Sequence, residues 1–255
     1  MGFGLLVSIL ILTLFLKSNH GQQQEQSIPN SDEFFISQFF EKMGINSSKS
    51  SHVYNLSLSA CSWQVVFCDS EQKTVIGLVA PNLGLTGPMP DNTIGKLKKL
   101  QFLDLNSNQI TDFSSDFWSL ISLKNLNLSN NKFSVDLPTN IGNFGSLEKL
   151  DLSFNNFTGN LPDSFSSLAG LQVLNLNRNR FNSVIPLGIT NCHSLTSVDL
   201  SMNSFHGSLP RGFDTAFPKL KSLNLAANLI NGRGSDFSKF ELLEYFQESF
   251  QGFCC

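Results

Sequence analysis

The chain is 255 residues long with a net charge of −3, which leaves room for one large domain or two small ones. It has neither the basic field that draws nucleic acid nor the acidic block of a disordered tail, so neither role is expected. Its 24 Phe against 2 Tyr form a composition suited to burial rather than to polar edges.

Residues 1–24 read as a signal peptide. Leu5 to Leu16 (LLVSILILTLFL) is an apolar run of 12 residues, followed by Lys17 and polar residues through Gln24. As a helix it spans roughly 18 Å at 1.5 Å per residue, short of the ~30 Å that a bilayer core demands. It lacks an early Lys or Arg and a clean small-x-small site, and cleavage is expected between Ser18 and Gln24. No later stretch is apolar enough to cross a membrane, so no insertion beyond the signal is expected. The mature chain then belongs in a lumenal or extracellular space, where disulfides persist.

Residues 25–73 read as a cap. The stretch NSDEFFISQFFEKMGI opens on Asn30 with Glu33 three residues on, a start resembling a capping box. Phe35, Ile36, Phe39, Phe40 and Met43 recur at helical spacing, a stripe that reads as packing surface rather than as a ligand site. Next comes CSWQVVFC, with Cys61 and Cys68 seven apart around Trp63. Such a pair closes a disulfide or contributes to a metal site, and no second Cys or His pair follows at zinc spacing.

From residue 74 the chain repeats itself. Asn108, Asn131, Asn155, Asn179, Asn203 and Asn228 recur at gaps of 23, 24, 24, 24 and 25. Apolar residues precede each Asn at minus eight, minus five and minus three, as Leu123, Leu126 and Leu128 precede Asn131. Another follows at plus two, giving Ile110, Phe133, Phe157, Phe181, Phe205 and Ile230. An imperfect earlier copy runs from Val75 to Pro90 with Leu83 in the Asn place, making seven copies over residues 74–239. Leu at alternate positions means a short strand with one face inward. A single copy cannot bury that face alone, so copies stack into a solenoid. The repeated Asn sits where each strand turns away and can satisfy backbone groups of the adjoining coil. Ile94, Phe117, Ile141, Phe165, Ile189, Phe213 and Phe237 form a further inward column.

This pattern resembles the plant-specific class of leucine-rich repeat, L-x-x-L-x-L-x-x-N-x-L-x-G-x-I-P. The resemblance is carried by LDLSFNNFTGNLP, VDLSMNSFHGSLP and LVAPNLGLTGPMP, and covers roughly Thr74 to Phe240. It implies an α/β solenoid, a curved superhelix with short parallel strands on its concave face and a helical N-terminal cap. It also implies that Cys61 and Cys68 form the cap disulfide, with Trp63 over the exposed edge of the first coil. Val135 and Ser183 replace the consensus Gly, and the repeats of Asn108 and Asn228 lack the Pro. In the family that segment forms a second strand and sets the twist, so irregular twist is expected at those two repeats.

Residues that carry chemistry elsewhere are scattered here. His20, His52, His193 and His206 fall in the signal, the cap and the outer turns, with no Ser-His-Asp or Cys-His arrangement apparent. Neither a nucleotide loop, nor a zinc-protease motif, nor a kinase signature is present, so no enzyme, metal or cofactor is expected of this chain. Asp104, Asp151 and Asp199 share a strand column with Asn127, Asn175 and Asn224, and read as a solvated strand face. Cys192 falls in the inward column of Leu97, Leu120, Phe144 and Leu168, and reads as a small buried hydrophobe. The least generic residues flank the ladder Asn: Phe154, Arg178, Arg180 and Met202. An exposed aromatic beside two Arg suits an anionic peptide group, since Arg offers a bidentate fork. The pair resembles one by which some plant peptide receptors hold a carboxylate, but there it lies on the strand, in places held here by Asn175 and Asn177. Sequons for N-glycosylation occur at Asn46, Asn55, Asn127 and Asn156.

The resemblance implies the ligand-binding extracellular part of a plant receptor-like protein kinase, truncated before any membrane helix and kinase. Its partners would be a peptide or protein ligand and a co-receptor kinase. The location would be extracellular, or the plasma membrane for a full receptor. The alternative is a stand-alone secreted protein similar to plant inhibitors of cell-wall hydrolases. Residues 240–255 read as a disrupted, incomplete eighth repeat: with Phe250 as the inward aromatic, Glu248 takes the Asn place, only 20 after Asn228. Leu243 and Tyr245 then take strand places, and Cys254-Cys255 stand where Leu-Pro is expected.

Overall fold

The computed structural model describes residues 31–45, 53–231 and 243–247. The signal peptide, Asn46, His52, Phe237 and the Cys254-Cys255 pair lie outside these.

The cap begins with helix α1, Asp32–Lys42. Its N-cap is Ser31 rather than Asn30: the Ser31 hydroxyl accepts the Phe34 N–H at 3.3 Å. The helix thus starts one residue later than the capping-box reading, which frees Glu33 for a longer reach. Its carboxylate accepts the Ala60 N–H, and that of Asp32 accepts the Val75 N–H at 3.2 Å. Two acids of the first helical turn, favoured there by the helix dipole, thereby fasten α1 to the segments that follow it. Half-burial pushes the Asp32 carboxyl pKa up, opposed by the Val75 bond. Ile36, Phe39, Phe40 and Met43 are fully buried, as their spacing predicts. Trp63 is buried too; its Nε1–H donates to the Asn55 carbonyl at 3.0 Å and its ring packs 5.5 Å from Tyr54. Cys61 and Cys68 are joined as a disulfide.

Strand β1 (Val66–Cys68) pairs antiparallel with β2 (Val75–Val79). Every later strand of this sheet is parallel: β4 (Phe102–Asp104), β6 (Asn125–Asn127), β7 (Lys149–Asp151), β8 (Val173–Asn175), β9 (Ser197–Asp199), β11 (Ser222–Asn224) and β13 (Tyr245–Gln247) follow β2 in order. Each contributes only three residues, because the middle one must face inward while the outer two face out. Leu78, Leu103, Leu126, Leu150, Leu174, Val198 and Leu223 are the inward residues, in register across the sheet and buried.

A second set of parallel contacts runs beyond the ladder Asn. It is assigned as strands at β3 (Thr86–Gly87) with β5 (Gln109–Ile110), and at β10 (His206–Gly207) with β12 (Leu229–Ile230). Of the two repeats where irregularity is expected, that of Asn228 keeps both bonds, from Leu229 N–H to Phe205 and from Asn231 N–H to Gly207. The other, that of Asn108, pairs incompletely with the next coil, where Lys132 N–H to the Ile110 carbonyl stands alone. On the outer side the coils through the Asn179 repeat close with a short 3₁₀ turn, and the Asn203 repeat with a four-residue α-turn, α2 (Phe213–Ala216). The expected inward column sits in these turns: Ile94, Phe117, Ile141, Phe165, Ile189 and Phe213 are all buried.

The last strand corrects the phase read for the tail. Tyr245 lies opposite Ser222 and Gln247 opposite Asn224. Phe246 pairs with the inward Leu223, so the middle strand place falls on Phe246 rather than on Leu243. Leu243 takes the minus-eight place of Leu220 and packs on the core. Tyr245 takes an outer strand place and is half-exposed, and Glu248 and Phe250 lie outside the described residues.

Candidate functional site

The ladder Asn sets the geometry of the rim. At Asn155 the side-chain Nδ2 donates to the carbonyls of Leu128, Leu152 and Ser153 at 2.9–3.1 Å, and Oδ1 accepts the Phe133 N–H at 3.1 Å. The other five ladder residues repeat this set, and all but the partly buried Asn203 are close to fully buried. To reach three carbonyls at once, the chain must turn sharply just before the Asn. The preceding residues Ser107, Asn130, Phe154, Arg178, Met202 and Ala227 all have φ between 52° and 57°. This left-handed conformation costs an L-residue about 1–2 kcal/mol, and none of the six is β-branched.

Three of the four predicted site residues thus share one structural position. Phe154, Arg178 and Met202 follow one another up the rim, all exposed, with the Arg178 guanidinium 5.1 Å from the Phe154 ring centre. This cation–π contact is worth roughly 0.5–1 kcal/mol at an exposed site and holds the guanidinium over the ring. Arg180 sits on the other side of Asn179, exposed, with its N–H on the Phe157 carbonyl. Neither guanidinium makes an ion pair among the described residues. A recess of about 620 Å³ lies elsewhere on the flank, lined by Leu161, Pro162, Val184, Leu187 and His206 among others, and touches none of the four.

The strand face is more ordered than a solvated surface. Asp104, Asn127, Asp151, Asn175, Asp199 and Asn224 alternate acid and amide, one per coil. Each Asn donates Nδ2 to the carboxylate of the coil before it, at 3.2, 3.0 and 3.1 Å. Each acid uses its other oxygen to accept the N–H two residues on. The three carboxylates are therefore committed to holding coils and turns together. Sequence reading also missed an aromatic shelf at the N-terminal end of this face. Phe67 and Phe102 stand directly across Gly77 from either side, and expose 53% and 36% of their surface. A Cβ on Gly77 would meet that of Phe67 at 3.0 Å and that of Phe102 at 3.6 Å, so the glycine leaves room for the two side chains that flank it. The missing signal was the strand pairing itself, since β1 lies outside the repeat.

Cys192 is buried and unbonded to other cysteines; its thiol donates to the Phe165 carbonyl at 3.3 Å. Burial pushes its pKa up to about 12, so the reactive thiolate is scarce at any ordinary pH. Alkylation of native protein at pH 8 is expected to leave the Cys192 peptide unmodified by mass mapping, and denaturant to expose it. Rapid native labelling would overturn that assignment. His193 turns away from this thiol to pair its Nδ1 with the Ala216 carbonyl at 3.0 Å.

With this geometry in hand, comparison with known proteins is informative. A leucine-rich-repeat family model matches residues 87–133 and 145–205. Over 110 residues the chain is 47% identical to a probably inactive leucine-rich repeat receptor-like protein kinase of Arabidopsis thaliana, covering 43% of this chain and 14% of that protein. The leucine-rich-repeat ectodomain of the Arabidopsis membrane receptor kinase GASSHO1/SCHENGEN3, solved with CASPARIAN STRIP INTEGRITY FACTOR 2, is 28% identical with a TM-score of 0.67, over 81% of this chain and 27% of that one. The ectodomain of the Arabidopsis receptor kinase HAESA, solved with a peptide hormone ligand, is 30% identical with a TM-score of 0.60, over 65% and 28%. The chain thus spans under a fifth of the curated relatives it matches.

Proposed function

We propose that this leucine-rich-repeat solenoid is the extracellular ligand-binding part of a plant receptor-like protein kinase, and that a peptide or protein ligand lies along its concave face. Signalling would then belong to a longer product bearing a membrane helix and a kinase, with a co-receptor kinase as second partner. No helix among the described residues is long and apolar enough to cross a membrane. The likeness to ectodomains solved with their ligands supports the reading, as does the cap disulfide, which suits an oxidising compartment.

The observation that carries it is the rim cluster. Two exposed guanidiniums without acidic partners among the described residues, one of them held over Phe154, stand beside Met202. Arg178 and Arg180 would take an anionic group of the ligand, with Phe154 fixing Arg178 and Met202 supplying apolar contact. The Phe67–Phe102 shelf would hold an apolar side chain at the other end. Phe102 in β4 is three strands from β8, roughly 14 Å at 4.8 Å per strand, a span for about four extended residues.

The test uses protein secreted from plant cells to capture peptides from apoplastic fluid. The affinity of a captured peptide should fall at least about tenfold in Arg178→Ala/Arg180→Ala, equivalent to 1.4 kcal/mol. The double variant should also lose the salt dependence of binding, and Phe102→Ala should weaken binding without altering that dependence. A peptide indifferent to all three substitutions would overturn the placement on this face.

A further inference from the structure

We propose that Asn156 is an N-glycosylation site of this domain and that Phe154 is the platform on which its first sugar rests. The proposal rests on the extracellular reading above. The three sequons within the described residues stand in different surroundings. At Asn127 the carboxamide is already used at both ends: Oδ1 accepts the Ser129 N–H and hydroxyl at 3.1 and 2.8 Å, and Nδ2 donates to Asp104. A sugar on that nitrogen would stand mid-strand inside the Asp–Asn column and disturb the link between two coils. Asn55 is exposed in a loop of the cap, where its Oδ1 accepts the Ser57 N–H at 3.0 Å.

Asn156 differs from both. Its carboxamide makes no side-chain hydrogen bond among the described residues, while its backbone N–H is held by the Phe133 carbonyl at 2.8 Å. It lies next to the fully buried Phe157, so in this extended segment its half-buried side chain and that of Thr158, whose hydroxyl donates to Asp136, take the opposite face from Phe157. Two residues before it stands Phe154, in the left-handed conformation and 50% exposed. The ladder hydrogen bonds, rather than Phe154 itself, impose that conformation, so an exposed aromatic there has no packing reason among the described residues beyond its Arg178 contact. Arg178 takes one side of the ring, at 5.1 Å, and the exposed remainder is free. A pyranose presents an apolar face of C–H groups, which a flat aromatic ring can cover. The sugar would thereby bound the Arg178–Arg180 cluster on the side of the earlier coils, leaving approach from the concave face.

The test expresses the full chain in plant cells and maps glycopeptides of the apoplastic protein by mass spectrometry. Most copies are expected to carry a glycan on Asn156 and none on Asn127. Phe154→Ala should lower Asn156 occupancy at least twofold and leave Asn55 unchanged. Asn156→Gln should lower the melting temperature by about 2 °C in protein with Phe154, and not in the Phe154→Ala background. A bare Asn156 in apoplastic protein overturns the site while leaving the extracellular reading intact. Occupancy and melting that ignore Phe154 overturn the platform. A chain retained in the cytosol with every sequon bare overturns the extracellular reading, and this proposal with it.

Discussion

Asn179→Asp is expected to lower the unfolding free energy at pH 7 by about 3–5 kcal/mol, more than Asn179→Ala. The wild-type amide donates to the carbonyls of Leu152, Leu176 and Asn177 at 2.9, 3.1 and 3.4 Å, and accepts the Phe157 N–H at 3.0 Å. Alanine leaves these buried groups unpaired, which costs roughly 1–3 kcal/mol for each group stranded without water. Aspartate keeps the acceptor for Phe157 but points an anionic oxygen at three carbonyl oxygens, where the amide had two N–H donors. Such a carboxyl would have a folded pKa above its unfolded value of about 3.9. Its penalty is therefore full above the folded pKa and shrinks as pH falls through it, when the protonated acid can donate to one carbonyl. Urea titrations should show Asp below Ala at pH 7 and the gap closing or reversing at pH 4. Equal stability of the two variants at pH 7 would mean that the ladder amide does not hold adjacent coils.

Phe157→Ala should be comparably severe, at about 3–5 kcal/mol for a fully buried aromatic. Its ring is stacked between Phe133 at 5.2 Å and Phe181 at 6.1 Å, within 12° and 3° of parallel. Truncation removes the ring from the middle of a column that continues to Phe205, so neighbouring coils lose contacts on both faces. Hydrogen exchange should accordingly rise in the coils on either side as well as in the altered one. Phe154→Ala, three residues away on the exposed rim, should cost no more than about 1–2 kcal/mol, from its Arg178 contact and the sugar. If the two variants matched, the stack would not be the source of coil-to-coil cohesion.

These two expectations rest on residues that the repeat period singles out directly. In a solenoid each coil meets only its neighbours, so every structural role recurs at the same offset and stands out as a column of like residues. That is why the ladder Asn, the Phe stack and the inward column of the outer turns could be named from spacing, and why the cap stripe could be read as helix. The alternation of Asp and Asn was visible as letters but not as bonds. Which carboxylate each amide takes depends on stacking residues 23 to 25 apart.

Spacing failed where the period was broken or where conformation rather than identity mattered. At the tail, spacing counted back from Phe250 puts Leu243 and Tyr245 in the inward strand places, whereas main-chain pairing with β11 sets Phe246 opposite Leu223. The shelf of Phe67 and Phe102 across Gly77 arises from an antiparallel strand that belongs to no repeat. Phe154, Arg178 and Met202 looked unusual as residue types, but their common position on the rim follows from a positive φ that a buried amide imposes. The sequence alone determined the coil, its period and its core, because burial of apolar side chains repeats locally. Only the tertiary structure decided which exposed side chains meet, because those contacts join coils and depend on how each is turned by the hydrogen bonds of the next.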